Sequence, residues 1–150
     1  MHANHYGRLL VMTVLSFISM YVFMYAMVDT FASVYPNFNQ FYMAGLMTAP
    51  MVIIELLLMS AMYKNKRANI VIIAASIVAL GAFFLMIRQQ TFIADTQFLK
   101  SMIPHHAGAI LMCEKATIKD AEIRQLCRTI IDGQRSEIAQ MKAKLRVLER

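Results

Sequence analysis

Residues 43–87 read MAGLMTAPMVIIELLLMSAMYKNKRANIVIIAASIVALGAFFLMI. Two apolar runs, Met43 to Tyr63 and Ala68 to Ile87, are divided by KNKR, four residues of which three are basic. Each run has the roughly 20 residues that a helix needs to cross about 30 Å of hydrocarbon. A third such run, Leu9 to Val28, lies upstream and contains no charge. The spacing therefore predicts three transmembrane helices. Composition agrees: 59% of the 150 residues are hydrophobic and only 16% are charged, where soluble domains carry about 25% charged residues. A disordered tail protein is excluded and an ordinary soluble domain is disfavoured.

The charges are segregated. Residues 1–87 hold four Lys/Arg and two Asp/Glu, and residues 88–150 hold the other eleven and seven. This divides the chain into a three-span region, residues 1–90, and a polar region, residues 91–150. Lys64, Lys66 and Arg67 mark a cytoplasmic turn, while the loop between the first two spans carries no Lys or Arg. Arg8 agrees. With three spans the C-terminal region lies outside, which in a bacterial inner membrane is the periplasm, and the N-terminus is cytoplasmic. Phe31, Tyr35, Phe38, Phe41 and Tyr42 read as an interfacial aromatic belt. A cleaved signal peptide competes for residues 1–33, but the 20-residue apolar core favours an uncleaved anchor. Part of the net charge of +6 is thus a topology signal. The tail's basic residues alternate with acids, and no basic cluster is interleaved with stacking aromatics, so a nucleic-acid partner is not expected.

Methionine is abundant, 14 of 150 residues. Met43, Met47, Met51, Met59 and Met62 share a broad face of the second span with Glu55, and Met12, Met20, Met24 and Met27 cluster on the first. Such side chains fill uneven gaps between helices or present soft sulfur ligands to Cu(I); both readings stand. Glu55, a carboxyl in hydrocarbon, implies a partner or a polar pathway.

No proline lies between Ile70 and Ile103, so the third span is expected to continue as one helix into residues 92–103. Phe92, Thr96, Leu99, Ile103, His106, Ile110 and Cys113 keep a 4–3 heptad rhythm. After a polar break in which Asp120 is a good N-cap, Cys127, Ile131, Gln134, Ile138, Met141, Leu145 and Leu148 repeat it. Two helices with one seam each form an antiparallel hairpin. If Cys113 faces Cys127, then His106 meets Gln134, Leu99 meets Met141 and Phe92 meets Leu148. One hairpin cannot bury its whole stripe, so a second copy is expected to complete a four-helix bundle, a homo-oligomer of which a dimer is the simplest form.

Pro104 interrupts the first of these helices and should kink or restart it. His105 and His106 follow directly. Met102 lies three and four residues before them, Met112 two turns beyond His105, and Met141 across the hairpin. Cu(I) and Ag(I) favour Met sulfur, Cys sulfur and imidazole, and i,i+3/i+4 spacing lets one helix supply several. The bland alternative is a surface His105, a seam His106 bonded to Gln134, and methionine as filler. Cys113 and Cys127 could close a loop of about 15 residues worth ~3 kcal/mol, remain thiols, or ligate a soft metal. His2 and His5, i,i+3 near Arg8, read as interfacial side chains or as metal acceptors.

The run Phe98-Leu-Lys-Ser-Met-Ile-Pro-His-His-Ala-Gly-Ala-Ile-Leu-Met112 resembles the family catalogued as domain of unknown function 305, whose hallmark is Met-Ile-Pro-His-His-x-Gly-Ala-Ile. Residues 130–141, IIDGQRSEIAQM, look like that family's second helix, and the resemblance spans about residues 92–147. The Met-rich span MAGLMTAPMVIIELLLMSAMYKNKR also looks like the membrane region of anchored members. The resemblance implies a ferritin-like helical bundle in a bacterial envelope, with some members tied to copper. Carried over residue by residue, it implies metal ligation by Met102, His105, His106, Met112 and Met141. No Glu or Asp precedes a His by three residues, so the carboxylate–histidine pairs of a di-iron site are missing.

The expected fold is therefore all-α: three transmembrane helices followed by an extramembrane antiparallel hairpin. The expected function is binding of Cu(I) or Ag(I) at the outer face of the membrane, in copper homeostasis or tolerance, with a metal-handling partner protein to receive the ion. A structural oligomerisation protein and a component of a metal transport path are the alternatives. No nucleophile–base pair, phosphate loop or zinc-protease motif is present, so an enzyme is not expected.

Overall fold

The computed structural model describes residues 4–150. Among them there is no strand. Five α-helices follow one another: α1 (His5–Phe23), α2 (Phe38–Leu58), α3 (Lys66–Gln89), α4 (Asp95–Lys115) and α5 (Ala121–Leu148), with short 3-10 turns at Met24–Met27 and Phe31–Ser33. Three segments, His5–Met27, Phe38–Leu58 and Lys66–Gln89, are long and apolar enough to cross a membrane, which is compatible with association with a lipid bilayer.

The chain divides into two units. One comprises α1, most of α2 and α3; the other comprises Met24–Phe38 with Phe92–Arg150. In the first, Leu9, Val52, Leu56 and Tyr63 are buried, with Tyr6, Met12, Ile72 and Ile73 packed against them. The KNKR turn is fixed by polar contacts. Asn65 caps α3 by accepting from the Ala68 amide at 3.1 Å, and the Tyr6 hydroxyl donates to Asn69 Oδ1 at 2.8 Å. Lys64, Lys66 and Arg67 stay exposed. Gly45 on α2 sits so close to Phe83 on α3 that a Cβ would overlap the ring.

The second span is displaced from its expected position. Its helix begins at Phe38 rather than Met43 and ends at Leu58 rather than Tyr63. Glu55 therefore occupies the last turn of α2, where its Oε1 accepts from the Tyr63 hydroxyl at 3.2 Å. Burial, and then the Glu55 charge beside it, raises the Tyr63 pKa above its ordinary value. The carboxyl is thus placed near a helix end beside a hydrogen-bond donor.

The expected continuous helix from the third span into the polar half is also corrected. α3 stops at Gln89, and Gln90 and Phe92 adopt left-handed backbone, φ 51° and 59°. The last carbonyls of α3 are closed by the Gln90 amide nitrogen side chain, 2.7 Å from the Ile87 oxygen, and by the Thr91 N–H, 3.0 Å from the Met86 oxygen. A reciprocal amide pair between Gln90 and Asn39 holds that side chain. Polar side chains rather than glycine or proline end the helix. Phe92 consequently leaves the seam. It is 76% exposed, and Leu148, its expected partner, is also exposed.

In the second unit α4 and α5 pack against each other over Ile103, Ala107, Ile110, Ile138 and Leu145, flanked by Leu99 and Met141. Asp120 caps α5 by accepting from the Ile123 amide at 2.9 Å. Links between the two helices are Cys113–Cys127, Glu114–Arg135, His106–Glu137 and Lys100–Glu149. Met24–Phe38 lies on this pair. Val28 and Tyr35 pack on its core, the Met27 carbonyl faces Gly108, Gln97 Oε1 accepts from the Phe38 amide at 3.0 Å, and Lys142 Nζ donates to Ser33 at 3.3 Å. The segment read as an interfacial loop thus covers part of the stripe that a second copy was expected to cover. The aromatic belt is likewise divided: Phe31 is 91% exposed, whereas Tyr42 is buried and its hydroxyl donates to the Thr91 oxygen at 2.8 Å.

Candidate functional site

α4 carries Pro104 inside an unbroken helix. The ring supplies no N–H to the carbonyl of Lys100, four residues earlier, yet the helix neither restarts nor stops there. Pro104 is buried with Ile103, His106, Ala107 and Gly108, and this packing holds the helical path through the missing bond.

His106 is 8% exposed and both ring nitrogens are engaged. Nδ1 lies 2.9 Å from the carbonyl oxygen of Met102, one turn back on α4. Nε2 lies 2.6 Å from Glu137 Oε2 on α5. The expected partner, Gln134, is replaced by a residue one turn further along α5. A carboxylate makes the stronger, charge-assisted contact. Glu137 is adjacent to the seam residue Ile138 and reaches inward while 57% of its side chain stays exposed. Reading only seam positions hid it; the available signal was a carboxylate one residue off the seam at the level of a seam histidine.

His105 points elsewhere. It is exposed, with its ring centroid 6.2 Å from that of His106 and the two planes at 62°. Met102 is half-buried one turn before His106. Met141 is half-buried one turn after Glu137 and packs on the shared core. His106 with Met102, and Glu137 with Met141, are therefore one turn of each helix at the same level of the pair. Met112 is not part of that level. Its 52% exposed side chain belongs to a residue about 10 Å further along the helix axis from His105, the rise of seven helical residues. Among the described residues no three His, Cys, Asp or Glu side chains converge as a metal-binding group.

Cys113 and Cys127 form a disulfide with a Cα–Cα separation of 5.3 Å, and no free cysteine remains among the described residues. Close to it, Arg135 Nη2 and Glu114 Oε1 are 2.6 Å apart. His2 lies outside the described residues. His5 packs edge-on against Tyr63, with ring centroids 6.4 Å apart.

The segment that builds this site matches a known family. Residues 86–145, the end of α3 with α4 and most of α5, match the model described as domain of unknown function (DUF305). An uncharacterized protein of Acanthamoeba polyphaga mimivirus is 35% identical over 141 residues, covering 91% of this chain and 90% of its own. The chain belongs to the domain of unknown function 305 family. The likeness to the viral protein runs through the apolar helices as well as the family segment. No solved structure matches.

Proposed function

We propose that this protein is a membrane-anchored binder of a soft metal ion, Cu(I) or Ag(I), in copper homeostasis or tolerance. The ligand set narrows to His105, His106, Met102 and Met141. One observation carries the reading: His106 is buried and oriented, its Nδ1 fixed on the Met102 carbonyl so that Nε2 points out of α4 toward α5. A backbone carbonyl on the second ring nitrogen is the usual way in which a ligating histidine is aimed and its tautomer set. Exposed His105 beside it gives a solvent-side imidazole, and Met102 and Met141 supply sulfur at the same level.

In this reading α1, α2 and α3 span a bacterial inner membrane, with the N-terminus and the KNKR turn cytoplasmic and the α4–α5 pair, an antiparallel ferritin-like hairpin, in the periplasm. The packing of Met24–Phe38 with α4 and α5 in one unit supports it, because three crossings put the first loop and the C-terminal helices on the same side. Exposed Phe98, Ile123, Leu126 and Val147 support a second copy completing the bundle, and exposed His105 suits transfer to a metal-handling partner.

The test is anaerobic Cu(I) titration of the detergent-purified chain against a chromophoric Cu(I) chelator, with His105→Ala/His106→Ala and Met102→Ala/Met141→Ala alongside. Saturable binding that both double variants lose supports the reading. Equal binding by wild type and variants overturns it, and leaves the α4–α5 pair as an oligomerisation device. Light scattering of the detergent complex reads the copy number in the same sample.

A further inference from the structure

Helices α1, α2 and α3 leave between them a groove of about 580 Å3, within the roughly 300–1,000 Å3 of ligand sites. Buried Gly45, Thr48 and Ala49 of α2 form its floor, and exposed Leu10 and Val14 of α1 and Ala75 of α3 form its rims. The lining runs from Tyr6 to Phe17 on α1 and from Val71 to Phe83 on α3. At the helical rise of about 1.5 Å per residue each run is about 17 Å long, close to one leaflet, half of about 30 Å of hydrocarbon. Phe17 and Phe83 close the far end, each against Phe41, with ring centroids 5.0 and 6.3 Å from it. The aliphatic hydroxyls of the lining are turned onto their own helices. Thr13 donates to the Leu9 oxygen at 2.8 Å, Thr48 to the Ala44 oxygen at 2.7 Å and Ser76 to the Ile72 oxygen at 2.8 Å. With those protons engaged, the interior offers a hydrocarbon surface, which suits an acyl chain and not an ion or a polar solute.

The other end lies at the KNKR turn. Tyr6, which lines the groove there, donates to Asn69 Oδ1 at 2.8 Å and accepts from the Asn65 N–H at 3.2 Å. Lys64 immediately precedes Asn65, and Arg67 stands one turn before Val71 on α3. Both cations are exposed, and neither is in an ion pair among the described residues. Residues 1–94 hold two acids: Asp29 follows the far end of α1, and Glu55 accepts from the Tyr63 hydroxyl. We infer that the groove binds one anionic phospholipid, with an acyl chain between α1 and α3 and the headgroup phosphate held by Lys64 and Arg67 beside Tyr6. Basic pockets between membrane helices take anionic headgroups. Positive charge at a span boundary sets topology by itself, but here it stands at the mouth of a slot one leaflet long and closed at its inner end. A second copy lying parallel in the groove would bring another basic, acid-poor turn to the same mouth, where like charges repel. The inference is independent of metal binding on α4.

The full chain in detergent is titrated with dioleoyl phosphatidylglycerol and, separately, with dioleoyl phosphatidylcholine, and bound lipid is counted by native mass spectrometry. The two lipids share their chains and differ in headgroup charge. The expected result is one phosphatidylglycerol bound about tenfold or more tighter than phosphatidylcholine. Lys64→Gln/Arg67→Gln should weaken it about 10–30-fold, the worth of two basic residues against anionic lipid. Arg8→Gln, on the side of α1 turned away from Tyr6, should change it by less than about threefold. Ala75→Phe fills the groove from its exposed rim and should abolish the one-lipid complex, whereas Ala74→Phe, exposed but outside the lining, should not. Far-UV circular dichroism checks that each variant is helical, and the exposed Lys64 and Arg67 decide the headgroup half even where Ala75→Phe fails to fold. Equal binding of the two lipids overturns the inference, as does a loss in Arg8→Gln equal to that in Lys64→Gln/Arg67→Gln, which would mean general surface attraction. Undiminished phosphatidylglycerol binding by a folded Ala75→Phe overturns it too, and a wild-type dimer that this variant loses would then assign the groove to a second copy.

Discussion

His106 Nε2 and Glu137 Oε2 lie 2.6 Å apart and join α4 to α5 between the disulfide at one end of the pair and the Lys100–Glu149 bridge at the other. The two partners differ in burial, and the stability consequences follow from that. Truncating Glu137 to Ala leaves a buried imidazole nitrogen without its partner and should cost about 1–3 kcal/mol. His106→Leu removes the buried polar group together with its need, and should cost less. Thermal unfolding of the two variants, without metal, ranks them. If His106→Leu is the more damaging, shape and not the hydrogen bonds sets the cost.

The seam residues that meet on the inner face, Leu99, Ile103, Ile110, Ile138, Met141 and Leu145, were legible in the sequence because a 4–3 apolar rhythm survives any small error in register. So was the Asp120 cap, which depends on a side chain three residues from the amide it serves. Three features were not legible. The end of α3 is made by Gln90 and Asn39, 51 residues apart, and no local pattern announces a cap built by a distant partner. The start of α2 at Phe38 lies in a stretch that composition reads as interfacial. Glu137 sits outside the apolar period, so a method that follows periodicity passes over it. At the site, periodicity located His106 and Met141 but not the contact between the helices that orients the imidazole.

Gly45 makes a prediction in the apolar half of the chain. A Cβ at this position would overlap the Phe83 ring, and Phe83 is itself packed edge-on against Phe41, with centroids 6.3 Å apart. Gly45→Ala must push that ring aside and should cost about 1–3 kcal/mol. Combining it with Phe83→Leu should recover part of the loss, since the smaller side chain makes room. Unfolding temperatures in detergent read both steps. An unchanged midpoint for Gly45→Ala would mean that Phe83 swings clear without cost.

The disulfide predicts a condition dependence. Cys113 and Cys127, 14 residues apart in sequence, close a loop whose entropy is worth about 3 kcal/mol to the folded state. Cys113→Ser/Cys127→Ser should lower the denaturant midpoint by a corresponding amount, and a reducing agent should bring the wild type to the same value without affecting the variant. The nearby Glu114–Arg135 pair should keep the helix ends together after reduction. Far-UV helicity in the absence of denaturant is therefore expected to be unchanged. Loss of helix on reduction alone would show that the ion pair contributes nothing there.

Pro104 sets stability against geometry within one helix. The position lacks the amide proton that would satisfy the Lys100 carbonyl, and proline in a helix interior costs about 3 kcal/mol in general. Here part of that cost is offset, because the ring is buried beside Ile103 and His106. Pro104→Ala restores the amide donor and removes little side-chain volume, so the α4–α5 pair should become more stable by about 1 kcal/mol or more. The Met102 carbonyl that orients His106 lies in the same turn as the Lys100 carbonyl, to which Pro104 can offer no N–H. Restoring the helical bond there should draw this turn tighter and shift the imidazole relative to Glu137. A rise in unfolding temperature together with weaker metal binding is the expected pair of results, measured on one preparation by calorimetry. A fall in unfolding temperature would show instead that the buried ring contributes more than the missing hydrogen bond costs.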